Sequence, residues 1–66
     1  MIAFRVSDMT GPRDAGAVTR ALKEVDRAAT VRVDLASCTV EIESAKASAR
    51  QLADALRRAG YAAEAA

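Results

Sequence analysis

Apolar and polar residues alternate along three short segments of the chain, with the period of two that is typical of half-buried strands. These segments cover roughly residues 2–7, 30–35 and 38–43. With Ala36-Ser37 as a two-residue turn, the second and third segments form a hairpin in which apolar residues face apolar residues. The predicted register pairs Leu35 with Cys38, Asp34 with Thr39, Val33 with Val40, Arg32 with Glu41 and Val31 with Ile42. Ala-Ser is not a preferred turn dipeptide, so the turn type stays open.

Two longer segments have the apolar spacing of amphipathic helices. The first runs from about Ala15 to Asp26, and the second is predicted to start near Ala49, because Ser48-Ala49-Arg50-Gln51 has the form of a capping box. Gly60 predicts the end of the second helix, and a short last strand is predicted from Tyr61 to about Glu64. The two apolar stripes consist of Val18, Ala21, Leu22 and Val25 in the first helix and Leu52, Ala55, Leu56 and Ala59 in the second.

The resulting order of elements is β-α-β-β-α-β. Right-handed crossovers then place both helices on one face of a four-stranded antiparallel sheet of order 4-1-3-2. We therefore predict an α+β fold, the ferredoxin-like sandwich. A chain of 66 residues is close to the lower size limit for one hydrophobic core, so residues 1–66 are expected to form a single domain.

The net charge and the distribution of apolar residues argue against nucleic acid and membrane as partners. Ten basic and nine acidic residues give a net charge of +1, which argues against a polyanion binder driven by bulk charge. The predicted solvent face of the central strands carries no aromatic residues on which bases could stack, so nucleic acid is not an expected partner. No apolar run approaches the roughly 20 residues that span a bilayer, and the first residues do not resemble a signal peptide. We expect no membrane insertion and a cytoplasmic location.

The inventory of reactive side chains is small. The chain has no histidine and one cysteine, Cys38, whereas a tetrahedral zinc site needs about four donors. No histidine stands beside Cys38, and no serine lies in a recognisable nucleophile setting. The sequence therefore predicts no catalytic residues and no enzymatic activity.

Three segments carry a resemblance to a known family. With the predicted topology, Asp8-Met9-Thr10 before the first helix, the hairpin from Val31 to Ile42 and Ala59-Gly60-Tyr61 before the last strand resemble the heavy-metal-associated domain. The most similar members are small bacterial copper chaperones and the metal-binding domains of copper-transporting ATPases. In that family a G-M-x-C-x-x-C loop holds one cuprous ion between two thiolates. The resemblance implies copper(I) as the ion, metal trafficking as the function, and a metal-transporting ATPase domain or other acidic protein surface as the partner.

The loop departs from the family pattern at both cysteines. Gly11 stands at the first cysteine position and Asp14 at the second. Cuprous ion prefers thiolate and thioether ligands, whereas Gly11 offers no donor and Asp14 offers a hard oxygen, so no high-affinity copper binding is expected. Asp14 is interpreted either as a relic ligand or as the N-cap of the first helix, and the preference of aspartate for that position favours the N-cap. By the resemblance, Met9 supports the loop from the core and Tyr61 is the aromatic residue near it.

Two questions stay open at the level of sequence. Cys38 is predicted to be a small buried apolar residue, with a weak metal or thiol site beside the loop as the alternative, and it could join two otherwise monomeric chains into a weak dimer. Arg13, Arg20 and Lys23 are either a solvated helix face or a docking surface for an acidic partner. The predicted function is a metal-trafficking domain whose binding is lost or weak. The alternative is a metal-free interaction or regulatory module.

Overall fold

The computed structural model describes all residues from 1 to 66, in the predicted element order. The four strands form one antiparallel sheet of order β2-β3-β1-β4, which is the predicted order read from the other edge. The chain is thus an α+β ferredoxin-like sandwich. Its elements are β1 Ile2–Arg5, α1 Pro12–Val25, β2 Thr30–Asp34, β3 Thr39–Glu43, α2 Ala49–Arg58 and β4 Glu64–Ala65.

The β2–β3 hairpin keeps the predicted register through four of its five pairs, from Val31 opposite Ile42 to Asp34 opposite Thr39. The fifth predicted pair lies in the connection, because β2 ends at Asp34 and β3 begins at Thr39. Cys38 has φ 55°, in the left-handed region, and the Asp34 carboxylate accepts a hydrogen bond from the Ala36 N–H at 3.0 Å. The connection is therefore a four-residue turn rather than the two-residue turn that was predicted.

Helix α1 begins three residues earlier than predicted. Gly11 is its N-cap, and Pro12 occupies the first helical position, where a missing N–H leaves no hydrogen bond unmade. The prediction that Asp14 is the N-cap is therefore wrong, and Asp14 lies inside the first turn. At the other end the helix stops at Val25, which is 40% exposed, so the buried part of its stripe is Val18 and Leu22.

Helix α2 confirms the predicted capping box. The Gln51 N–H donates to the Ser48 hydroxyl at 3.2 Å, and the Ser48 N–H donates to the Gln51 side-chain oxygen at 2.9 Å. At its C-terminal end, Gly60 has φ 96° and its N–H donates to the carbonyl of Arg57. The Tyr61 N–H donates to the Leu56 carbonyl at 2.9 Å, which completes a Schellman motif and fixes where the chain leaves the helix.

The outer strands are shorter than predicted. β1 ends at Arg5, and β4 comprises only Glu64 and Ala65, later in the chain than the predicted Tyr61 to Glu64. The residues from 61 to 63 precede the sheet. Tyr61 bonds to Asp14 in the first turn of α1, and Ala62 bonds to Asp8 in the β1–α1 loop, as described below.

The core lies between the sheet and the two helices and is built almost entirely from aliphatic residues. Phe4 is its one aromatic member among the buried residues. The structure has no helix with the length and apolar character required to cross a membrane. The buried cluster consists of Phe4, Val6, Met9, Val18, Leu22, Ala29, Val40, Ile42, Ala47, Leu52 and Leu56.

Candidate functional site

The β1–α1 loop lies at one end of the sandwich, together with the β2–β3 turn and the segment that follows α2. The Val6 N–H donates to the Cys38 carbonyl at 2.7 Å, which ties the start of the loop to the end of the turn. The Ala62 N–H donates to the Asp8 carboxylate at 3.1 Å, which ties the loop to the segment after α2. The loop, the turn and this segment therefore meet at one place, as the strand order predicts.

Asp14 is the centre of the hydrogen bonding at this site. One carboxylate oxygen, Oδ2, accepts from both the N–H and the hydroxyl of Thr10, each at 2.9 Å. The other oxygen, Oδ1, accepts from the Tyr61 hydroxyl at 2.7 Å. Both oxygens of the carboxylate are therefore engaged by donors within the protein.

The charge state of Asp14 follows from these bonds. The Tyr61 hydroxyl, and then the two Thr10 donors, lower the pKa of the Asp14 carboxyl below its ordinary value of 3.8. The same bond raises the pKa of the Tyr61 hydroxyl, since losing the proton would leave two negative groups in contact. Near neutral pH the pair is a carboxylate accepting from a neutral phenol.

The soft donors of the chain are not gathered around Asp14. The Met9 side chain is 3% exposed and belongs to the core cluster, so it supports the loop from inside. Cys38 is half-buried at the end of the turn, outside β3, rather than buried in the strand as predicted. Its Sγ lies 3.8 Å from the carbonyl oxygens of Met9 and Leu35. This places the thiol beside the loop, where the alternative interpretation of the sequence put it.

The donor set does not match a two-thiolate site for a cuprous ion. Gly11 carries no side-chain donor, Asp14 offers hard oxygens that already accept hydrogen bonds, and Cys38 is one thiol. No three Cys, Asp or Glu side chains converge anywhere in the structure. Beside the loop the sulfur donors are the half-buried Cys38 thiol and the buried Met9 thioether.

The candidate docking residues lie on the exposed surface of α1. Arg13 and Arg20 line an open crevice of about 490 Å³ between the two helices, whereas Lys23 lies outside it. The structure contains a single ion pair, between Arg57 and Asp54 at 3.8 Å, so all three candidate cations are unpaired. The rest of the crevice is lined by Gly16, Ala17, Ala21, Glu24 and Ala59.

Asp26 was not singled out from the sequence, although it is fully buried. Its Oδ2 accepts three backbone N–H groups, from Ala45 and Lys46 at 2.8 Å and from Ala47 at 3.0 Å. It lies at the end of the sandwich opposite the β1–α1 loop, where it joins the end of α1 to the β3–α2 connection. The sequence shows only an acidic residue directly after an amphipathic helix. That pattern is equally typical of a helix whose C-terminal end is exposed to solvent.

Comparisons with known proteins agree with this fold. Among solved structures, a gold binding protein shares 35% identity over 100% of both chains, with a TM-score of 0.94. A mutant of the copper chaperone Atx1 from Synechocystis PCC6803, in a trimeric form, shares 41% identity over 97% of this chain and 100% of that one, with a TM-score of 0.92.

The N-terminal domain of PacS from Synechocystis PCC6803 is similar in fold alone. It shares 24% identity over 98% of this chain and 94% of that one, with a TM-score of 0.86. None of the curated proteins matches the chain. The family model for the heavy-metal-associated domain matches residues 3–62. Together with the two relatives above 30% identity, this match shows that the chain belongs to the heavy-metal-associated domain family.

Proposed function

We propose that this chain is a metal-trafficking-type domain that retains the heavy-metal-associated fold without a tight cuprous site. The observation that carries the proposal is Asp14, which stands at a ligand position of the family and has both oxygens engaged by Thr10 and Tyr61. Relatives described as a copper chaperone and a gold binding protein support a metal-handling ancestry. In this proposal copper(I) is the ion of the family rather than a ligand that this chain holds with high affinity.

The chemistry of the remaining donors supports weak binding at most. One thiolate from Cys38 gives a single soft ligand, and the Met9 thioether is part of the core. Arg13 adds a fixed positive charge beside the loop, which disfavours a second cation. With no base next to Cys38 we propose no catalytic activity, and we place the domain in the cytoplasm.

A cuprous competition titration tests this proposal. Under reducing conditions, with a chromophoric Cu(I) chelator as competitor, we expect the chain to leave the ion on the chelator. A matched Cys38→Ser variant is expected to give the same curve, because the thiol alone contributes little. Withdrawal of one ion per chain that disappears in Cys38→Ser would instead assign Cys38 as a ligand and contradict the proposal.

One observation favours a second candidate function, a metal-free interaction module. Arg13 and Arg20 line a crevice together with four small residues and Glu24, and neither guanidinium forms an ion pair within the chain. Unpaired cations around small residues suit a partner that presents carboxylates on a protruding element. Such complementarity acts mainly on encounter rate and specificity. We propose an acidic protein surface, such as a metal-binding domain of a copper-transporting ATPase, as the partner.

An NMR titration tests the docking role. The ¹⁵N-labelled chain is titrated at low salt with the metal-binding domain of a copper-transporting ATPase, without metal. We expect shifts along α1 and a roughly tenfold or greater loss of affinity in Arg13→Glu/Arg20→Glu. The matched control is Arg5→Glu/Arg32→Glu, which reverses two exposed arginines on strands of the sheet. Equal losses in both variants would indicate non-specific attraction, and shifts outside α1 would reject this surface.

A further inference from the structure

We propose that Thr10, Asp14 and Tyr61 form a ligand-free latch, which fixes the β1–α1 loop to the segment after α2 without a metal ion. This inference goes beyond the proposed function, because it concerns how the loop is held rather than what it binds. In this role Asp14 is a cross-linking residue in its own right and not a leftover ligand.

The first support is the reach of the Asp14–Tyr61 bond. It joins residues 47 positions apart in the chain, and at 2.7 Å it is a short bond from a phenol to a carboxylate. Asp14 is held by the first turn of α1, and Tyr61 is held by its N–H bond to the Leu56 carbonyl. Two separately anchored elements are therefore joined across the loop.

The second support is the scarcity of backbone bonding in the loop itself. Met9 donates to the Val6 carbonyl at 3.2 Å, and the Gly11 carbonyl accepts the first bonds of α1. The Thr10 N–H has no backbone acceptor, and its bond goes to Asp14 Oδ2. The order of the loop at Thr10 thus depends on the Asp14 carboxylate, with the buried Met9 side chain as the other attachment.

The third support is the second tie that runs beside the latch. The Asp8 carboxylate accepts from the Ala62 N–H at 3.1 Å, one residue beyond Tyr61. The loop is therefore tied to the 61–63 segment through two carboxylates, one on each side of Thr10. The bonds from Thr10 and Tyr61 share the Asp14 carboxylate, and such connected hydrogen bonds reinforce one another. Removal of Asp14 is therefore expected to increase the mobility of the whole loop rather than to break a single bond.

Amide hydrogen exchange on the metal-free chain tests the latch. In Asp14→Ala we expect the Thr10 amide to exchange about tenfold faster or more, because its acceptor is gone, while core amides such as that of Val40 keep their protection. In Tyr61→Phe, which keeps the carboxylate, we expect a smaller increase at Thr10. The matched control is Asp54→Ala, which removes an exposed carboxylate from α2 and should leave Thr10 unchanged.

Three results would overturn the latch. One is unchanged Thr10 exchange in Asp14→Ala with the core still protected. Another is an equal change in Asp54→Ala. If Asp14→Ala does not fold, Tyr61→Phe decides by ¹⁵N relaxation of residues 8–11: increased mobility supports the latch, and relaxation identical to that of the unmodified chain rejects it.

Discussion

Replacing Gly11 and Asp14 together by cysteine is expected to convert the chain into a tight binder of one cuprous ion. The Gly11→Cys/Asp14→Cys variant restores two thiolates at the N-terminus of α1, where the helix dipole favours the ionised thiol. Position 11 has room for the new side chain, because no atom lies within 4 Å of a Cβ built there and its φ of −174° is ordinary extended backbone. Position 14 already carries a side chain.

The gain in affinity should be large. Structural zinc sites in zinc-finger peptides reach apparent binding free energies of about 10–16 kcal/mol. If a two-thiolate cuprous site reaches half of that energy, the gain over the unmodified chain is at least ~10⁴-fold. The readout is the chelator competition described above, and Gly11→Ser/Asp14→Ser is the matched control because its side chains are similar in size and lack sulfur. If the two variants bind equally poorly, the missing thiolates are not the reason why the site fails, and Pro12 or Arg13 becomes the candidate obstacle.

Replacing Asp26 by alanine is expected to cause the largest loss of stability of any single substitution at a polar residue. The change leaves the N–H groups of Ala45, Lys46 and Ala47 without their shared acceptor, and hydrogen bonds to charged groups contribute more than neutral ones. In a domain of this size we expect the melting temperature to fall by roughly 20 °C, followed by circular dichroism.

Two control variants separate the anchor from a general effect of losing a charge. Asp26→Asn keeps the shape and one carbonyl oxygen, and it is expected to give an intermediate loss. Asp34→Ala removes an exposed carboxylate that accepts one turn N–H, and it should change the melting temperature by only a few degrees. A melting temperature for Asp26→Ala within a few degrees of the unmodified chain would show that the buried carboxylate does not anchor the β3–α2 connection.

Asp26 is also expected to make the stability of the fold depend on pH in the acid range. The Lys46 and Ala47 amides lower the pKa of Asp26 below its ordinary value of 3.8. A lowered folded-state pKa means that the stabilisation is complete above about pH 4 and is lost as the pH falls through the folded-state value. Thermal melts between pH 7 and pH 2 should therefore show falling stability below about pH 4. The fall should be smaller in Asp26→Asn.

Local patterns were sufficient for the elements whose determinants are close together in sequence. The capping box of α2 and the alternation in β2 and β3 predicted a helix start and a strand register that the structure confirms. Helix α1 starts earlier than predicted because Gly11 supplies the N-cap and Pro12 suits the first helical position, which together prevail over the preference of aspartate for N-caps.

The remaining errors concern contacts that no local pattern encodes. Asp14 meets Tyr61 from 47 positions away, and Asp26 meets the β3–α2 connection from 19 to 21 positions away. In the sequence, an acidic residue near a helix end looks the same whether its carboxylate is solvated or accepts hydrogen bonds from a segment far away in the chain. Cys38 continues the alternation of β3, so its left-handed backbone could not be read from the order of apolar residues.

The three hydrogen bonds that the Asp14 carboxylate accepts also limit which substitutions can lead this chain to a two-cysteine loop. A step from Asp14 to cysteine alone dissolves the bonds to Thr10 and Tyr61 while providing one thiolate at the loop, and a step from Gly11 alone likewise provides one. We expect that neither intermediate holds an ion tightly, because each has one thiolate at the loop, and that the first also loses the hydrogen bonds that Asp14 accepts. On the proposed function, a tight cuprous site at this loop thus requires two substitutions whose benefit is shared, and selection acting on single steps works against it.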